Sequence, residues 1–219
     1  MGQVQAFLLG ASHLRHDPEL EQSIINSRVF DQRYSLLNHC IHLIDPRIAF
    51  PTILEFGVND GDSLRYIAQQ APSAMVVGFD SCEGLPEAWD RSHGWSTPAG
   101  SYKNNAAEIG LPKNVEFIPG WFKDSLPVFV EELRTYNRPS PNMIHIDCDI
   151  YSSTVDILTH LKPHIQKDCI LVFDELMDFR DPPKYLLWRE HEWKALMESG
   201  IKTVPIGRTN REQVALKVI

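Results

Sequence analysis

Cysteine is sparse in this 219-residue sequence. Cys40, Cys82, Cys148 and Cys169 are scattered along the chain and form no C-x-x-C pair. That spacing signals neither a zinc site nor a disulfide framework, and the four read as reduced, mostly structural thiols. Long apolar runs are also missing: no stretch approaches the roughly 20 residues that span a bilayer, so a soluble protein without a membrane partner is expected. The short run "AFLLGA" lacks the length and basic lead-in of a secretory core, and "MGQVQA" has Ala6 where a myristoylation signal wants Ser or Thr. The cytoplasm is the expected compartment. No Lys/Arg run stands out, and 21 basic against 29 acidic residues give a formal charge of -8, which argues against nucleic acid as a partner. With 43% hydrophobic residues the chain can build a core, and one large globular domain is the default.

What is present is a rhythm. From about Glu19 to Ile44 the apolar residues Leu20, Ile24, Phe30, Leu37, Ile41 and Ile44 fall in a loosely helical pattern, either one bent helix or two. After Pro51 short apolar runs alternate with amphipathic stretches, as in an α/β sheet. The runs "TILEFGV" (from Thr52), "AMVVGFD" (from Ala74), "VEFIPG" (from Val115), "NMIHID" (from Asn142) and "CILVFDE" (from Cys169) fit five parallel strands. Helical candidates lie at Asp62 to Gln70, Leu126 to Tyr136, Ser153 to Leu161 and Lys184 to Ser199. Near the end, "IKTVPIG" and "REQVALKVI" can pair as a hairpin, making the last strand antiparallel. Residues 1–50 then read as an N-terminal helical extension or cap, and 51–219 as the main domain. The Gly, Pro, Ser and Trp-rich segment 81–114 is too long for passive filler and reads as a lid or insertion.

The stretch "ILEFGVNDGDSL" is a strand-to-helix turn, and in open α/β sheets ligands sit beyond the carboxyl ends of the strands. Gly57 and Gly61 let the backbone come close to a ligand, and Asn59 is a residue that tolerates left-handed geometry. The turn does not match G-x-G-x-x-G, which weakens a pyrophosphate reading. Asp80, ending the second strand, is placed to accept hydrogen bonds from two ribose hydroxyls. Glu55 can engage an amine directly or through water. A nucleoside carrying an amine fits both, and S-adenosylmethionine is preferred to a nicotinamide cofactor.

The segments "LEFGVNDGDSL", "GFDSCEGLPEAW", "PGWFKDSLP", "HIDCDIYSST" and "VFDE", in this order and spacing, resemble the macrocin O-methyltransferase-like (TylF-type) family of S-adenosylmethionine-dependent enzymes, over about Arg28 to Ile219. The resemblance implies a Rossmann-like class I methyltransferase fold, a mostly parallel seven-stranded sheet with an antiparallel C-terminal strand and helices on both faces. It also implies methylation of an oxygen, often a sugar hydroxyl on a natural product. Carried over by position, Glu55, Gly57 and Gly61, with Asn59 and Ser63, cradle the methionine end; Asp80 and Ser81 bind the ribose; Trp121 or Phe122 borders the adenine; Asp147 faces the cofactor. Trp121 could equally be core, and Gly61 could simply start a helix.

Asp147 and Asp149 end the fourth strand, and Asp174 and Glu175 the fifth. Four carboxylates on one cleft repel unless protonated or bridged, and Mg²⁺ suits an oxygen-only site. The resemblance implies the same, with Asp147, Asp174 and Glu175 as ligands. Catechol-type relatives keep a lysine shortly after the first metal carboxylate, but here Cys148, Asp149 and Ile150 follow. Asp149 is the candidate base, a fourth ligand, or a helix cap; His145 is the runner-up base and more simply a packed histidine. His191 and Glu192 read as ordinary helix surface. Trp89, His93, Trp95 and Tyr102 could stack on a hydroxylated small-molecule acceptor or serve a subunit contact, and a homodimer is plausible. The competing readings are a non-catalytic module that binds S-adenosylmethionine and an NAD-dependent oxidoreductase.

Overall fold

In the computed structural model the described residues are 17–91, 94–106, 110–136, 138–180 and 186–219. The stretches "AFLLGA" and "MGQVQA", His93 and Lys184 lie outside them. The helical N-terminal pattern resolves into two helices, α1 (Pro18–Ile25) and α2 (Arg33–His42), separated by the two-residue strand β1 (Val29–Phe30). The Asp17 side chain caps α1 by accepting from the Leu20 amide at 2.9 Å, and Pro18 occupies the first turn, where its missing N–H costs nothing.

The core follows as β2 (Thr52–Phe56), α3 (Asp62–Gln70), β3 (Met75–Asp80), the short strands β4 (Trp89–Arg91) and β5 (Trp95–Thr97), β6 (Val115–Pro119), α4 (Phe122–Thr135), β7 (Met143–Ile146), α5 (Tyr151–Leu161), β8 (Ile170–Phe173), α6 (Glu192–Ser199), β9 (Thr203–Thr209) and β10 (Val214–Val218). Helix α4 starts four residues earlier than its apolar pattern suggests and runs through Pro127. The expected helix from Lys184 is broken: a 3₁₀ turn over Leu186–Glu190 precedes α6.

The sheet order is β1-β9-β10-β8-β7-β2-β3-β6. Strands β6, β3, β2, β7 and β8 are mutually parallel, and β10 runs antiparallel between β8 and β9. The sheet therefore has eight strands rather than seven. The eighth, β1, pairs with β9 over Val29↔Arg208 and Phe30↔Thr209, a bridge too short to leave a period in the sequence. Segment 81–114 is likewise not a plain loop, because β4 and β5 form an antiparallel hairpin with Trp89 opposite Thr97.

Alternation along the strands sorts the core onto two faces. Leu54, Phe56, Val77, Phe79, Ile144, Ile146, Leu171 and Phe173 meet α4, α5 and α6 on one side. Ile53, Val76, Met143, Ile170 and Val172 meet α2 and α3 on the other. Ile24 of α1 and Leu36 and Leu37 of α2 are fully buried in these clusters. No described helix is long and apolar enough to cross a membrane.

Candidate active site

A cavity of about 550 Å³ opens at the carboxyl edge of the parallel strands. Its wall begins at the turn after β2. Gly57 has φ +91°, and a Cβ there would lie 1.8 Å from the Asp147 carbonyl oxygen, so the glycine is required by close contact between the ends of β2 and β7. Gly61, at φ +75°, is the N-cap of α3 and does not line the cavity, whereas Gly57, Asn59 and Ser63 do. Gly61 thus starts the helix.

Asp80 lines the cavity too, but its carboxylate is already occupied by the protein. Oδ2 accepts from the amides of Val58 (2.8 Å) and Asn59 (2.9 Å); Oδ1 accepts from the Cys82 amide (2.7 Å) and Asn104 Nδ2 (3.1 Å). Four donors fill the roughly four lone-pair sites of a carboxylate, so Asp80 ties the glycine turn to segment 81–114. Ser81 is engaged as well: its Oγ donates to the Gly84 carbonyl and accepts from the Glu83 amide, both at 3.1 Å.

Glu55 and His145 stand directly opposite each other in the β2/β7 register, which turns both side chains to the same face of the sheet. Both are 0% exposed, and His145 Nδ1 lies 3.1 Å from Glu55 Oε1. Neither lines the cavity. His145 is accordingly a packed histidine paired with Glu55, whose second oxygen, Oε2, is buried without a partner. Burial disfavours the charged imidazole, but Asp174, 3.7 Å from Nε2, and Glu55 outweigh it and raise its pKa to about 10.

The acids at the ends of β7 and β8 do converge. Asp147, Asp149, Asp174 and Glu175 all line the cavity. Asp147, Asp149 and Glu175 bring one oxygen each within 4.8 Å of one another, and Asp174 groups instead with His145 and Asp147. Of the expected trio, Asp147 belongs to both groups, Asp174 to one and Glu175 to the other. Asp174 Oδ2 accepts from Gln213 Nε2 (3.0 Å) and Arg33 (3.4 Å), and burial of its carboxyl is overcome by His145 and Arg33, which lower its pKa. Burial and mutual repulsion push Asp147 and Glu175 well above the usual range. Asp149 is raised to about 7, mainly by burial and against the pull of Arg91. Asp149 adopts φ +68° and is not a cap: the N-cap of α5 is Ile150, without a side-chain cap bond. The Glu175 Oε2 atom is buried without a hydrogen-bond partner.

Three participants carry no sequence signal that identifies them. Arg33, the first residue of α2, donates from one terminal nitrogen to Asp147 Oδ2 at 3.1 Å and to Asp174 Oδ2. Arg91 of the hairpin lines the cavity while bonding both oxygens of Glu212 at 3.2 and 3.0 Å. Glu192, read from sequence as helix surface, is 0% exposed and accepts the Glu175 amide at 3.0 Å. It is buried because α6 packs its first turn beneath the carboxylate cluster. His191 is also not free surface: its Nε2 meets the Asp90 carbonyl at 2.7 Å and ties α6 to the hairpin.

Trp121 and Phe122 form another wall, with Phe122 edge-on to Phe56 at 5.3 Å. Of the aromatic residues in segment 81–114, Trp89 and Tyr102 line the cavity, while Trp95 stands 74% exposed. The cysteines behave as expected of structural thiols; burial pushes Cys40 and Cys169 up to about 12.

A glycine turn, an aromatic wall and acids at the ends of β7 and β8 around one cavity form a coherent ligand site, and the family described as "Methyltransferase domain" matches residues 54–176, which contain nearly all of it. The chain belongs to the methyltransferase-domain family. Among curated methyltransferases, it is 26% identical to the 8-demethyl-8-(2,3-dimethoxy-alpha-L-rhamnosyl)-tetracenomycin-C 4'-O-methyltransferase of Streptomyces olivaceus, over 70% of this chain and 63% of that one. It is 24% identical to the mycinamicin III 3''-O-methyltransferase of Micromonospora griseorubida, over 74% of this chain and 69% of that one. The chain thus spans under two thirds of the first relative's length. The crystal structure of the calicheamicin methyltransferase CalS11 shares the fold, with a TM-score of 0.65 at 19% identity, covering 93% of this chain and 95% of that one. Family membership displaces the nicotinamide alternative.

Proposed function

We propose that this methyltransferase transfers a methyl group from S-adenosylmethionine to a hydroxyl of a small molecule, with a sugar or glycosylated natural product as the acceptor class, and that it uses Mg²⁺. The observation that carries the reading is the convergence of Asp147, Asp149 and Glu175 oxygens within 4.8 Å beside the cavity. The names of the curated relatives support the oxygen acceptor and the sugar.

S-adenosylmethionine, when bound, supplies the electrophilic methyl group, and Mg²⁺ supplies positive charge that lowers the acceptor's pKa. The chain's own residues do the rest. Gly57, Asn59, Ser63 and Asp147 border the methionine end, Ser81 and the Asp80-anchored turn the ribose, and Trp121 with Phe122 the adenine. Asp147 and Glu175 hold the metal, in keeping with the one or two carboxylates that Mg²⁺ commonly takes from protein, and Glu192 steadies Glu175 through its amide. Asp174, bound to Gln213 and Arg33, backs the pair. Asp149, near pKa 7 and on the cavity wall, takes the acceptor's proton. Trp89 and Tyr102 flank the acceptor, and residues 17–50 close the methionine end through Arg33 and Tyr34.

The test is thermal unfolding with S-adenosylhomocysteine, with and without Mg²⁺ and with EDTA. A ligand at about a hundred times its Kd adds roughly 2.7 kcal/mol. A shift with the nucleoside and a further shift with Mg²⁺ support both halves of the site; no shift with either removes the reading. Methyl transfer to glycosides then identifies the acceptor.

A further inference from the structure

We propose that Arg33, which lies outside the family-matched residues 54–176, is a binding residue for the carboxylate of the cofactor's methionine end. The proposal rests on the S-adenosylmethionine reading above. One terminal nitrogen of Arg33 is held by Asp147 and Asp174 at 3.1 and 3.4 Å. Its Nε and its other terminal nitrogen have no hydrogen-bond partner among the described residues. The side chain keeps 31% exposure and lines the cavity with Tyr34, Gly57 and Ser63. The two acids therefore fix the guanidinium, which also lies 5.5 Å from the Tyr34 ring centroid, and leave its Nε and second terminal nitrogen at the cavity wall without hydrogen-bond partners, the pair of donors that recognises a carboxylate with two parallel bonds.

The location suits the carboxylate of an amino acid. Gly57 lies against the Asp147 backbone, and Asp147 holds Arg33 at 3.1 Å, so the guanidinium stands beside the glycine turn. The other basic residues on the wall are committed or distant from this end. Arg91 is bonded to Glu212 and stacked 4.1 Å over Trp89, and Lys123 stands at the start of α4 beside Trp121 and Phe122.

Isothermal titration in EDTA tests this with two ligands: S-adenosylhomocysteine, and its decarboxylated analogue, which keeps the ammonium and lacks the carboxylate. The wild-type chain should prefer S-adenosylhomocysteine. In Arg33→Met that ligand should weaken by about tenfold to a hundredfold, the worth of charge-assisted hydrogen bonds, while the analogue binds no weaker than before. The selectivity then collapses, and Arg33→Lys, a point charge without the fork, falls between. Unchanged selectivity in Arg33→Met, or equal weakening of both ligands, overturns the proposal. Binding of the analogue doubles as the check that the variant is folded. If the wild-type chain binds neither ligand, the methyltransferase reading itself fails, an outcome distinct from either of these.

Discussion

Two acidic regions border the same cavity and are built in opposite ways. Asp80 is saturated: two amides on one oxygen, an amide and a side-chain amide on the other. The cluster at the ends of β7 and β8 is unsatisfied, with buried Asp174 Oδ1, Glu175 Oε2 and Glu192 Oε1 all lacking hydrogen-bond partners. An acid whose acceptors are all taken by backbone donors holds the fold together. Acids packed against one another with spare oxygens cost stability unless something positive joins them. Arg33 supplies part of that charge from a helix remote in sequence.

The largest expected effect breaks the unsatisfied side. Asp147→Asn should lower Mg²⁺-dependent methyl transfer on the order of a thousandfold, with S-adenosylhomocysteine still raising the melting temperature; unchanged turnover would remove Asp147 from the metal site. Next is Gly57→Ala, which drives a Cβ toward a carbonyl oxygen at 1.8 Å from a backbone conformation with φ +91°. A loss of about 3 kcal/mol or more is expected in urea denaturation. The saturated side is tested by Asp80→Asn, which faces donors with an NH₂ group and should cost about 2 kcal/mol without any ligand present. An effect seen with ligand alone would return Asp80 to a purely ligand-binding role.

Asp149 supplies a pH test. Its pKa rises from 3.8 unfolded to about 7 in the folded protein, so the fold favours its protonated form. In EDTA, that contribution is fully present below 3.8 and is lost as pH rises through about 7. Asp149→Asn should flatten the stability profile between about pH 4 and 7, the interval between the two pKa values, which chemical denaturation at each pH reads directly. The smallest effect should be Glu192→Gln: the amide oxygen can still accept from the Glu175 N–H, so the loss should stay within about 1 kcal/mol. A much larger drop would mean that the Glu192 charge itself supports the cluster.

Much of this was legible before any coordinates. The five parallel strands lie within two residues of their apolar runs; β2, β3, β7 and β8 are buried on both faces and so almost wholly apolar, while the edge strand β6 is only partly buried. Helix α3 spans the expected Asp62–Gln70, since Gly61 and the period of Leu64, Ile67 and Ala68 mark its start and buried face. The acids after β7 and β8 were readable because the strands that carry them are adjacent. Glu192 was misread because a lone glutamate in a helix is usually solvated, and its burial depends on where α6 docks. The saturation of Asp80 was not legible because the four donors that fill it come from three separate stretches of chain.

The sequence by itself determined the alternation of strands and helices, the antiparallel ending and the placing of glycines and acids at strand ends. These follow from local periodicity and backbone freedom. Only the tertiary structure decided which oxygens remain free, that Asp149 lies with Asp147 and Glu175 while Asp174 lies with Asp147 and His145, and that Arg33 and Arg91 line the cavity. Hydrogen-bond saturation and charge proximity depend on distances between segments far apart in the chain, and local pattern carries no record of them.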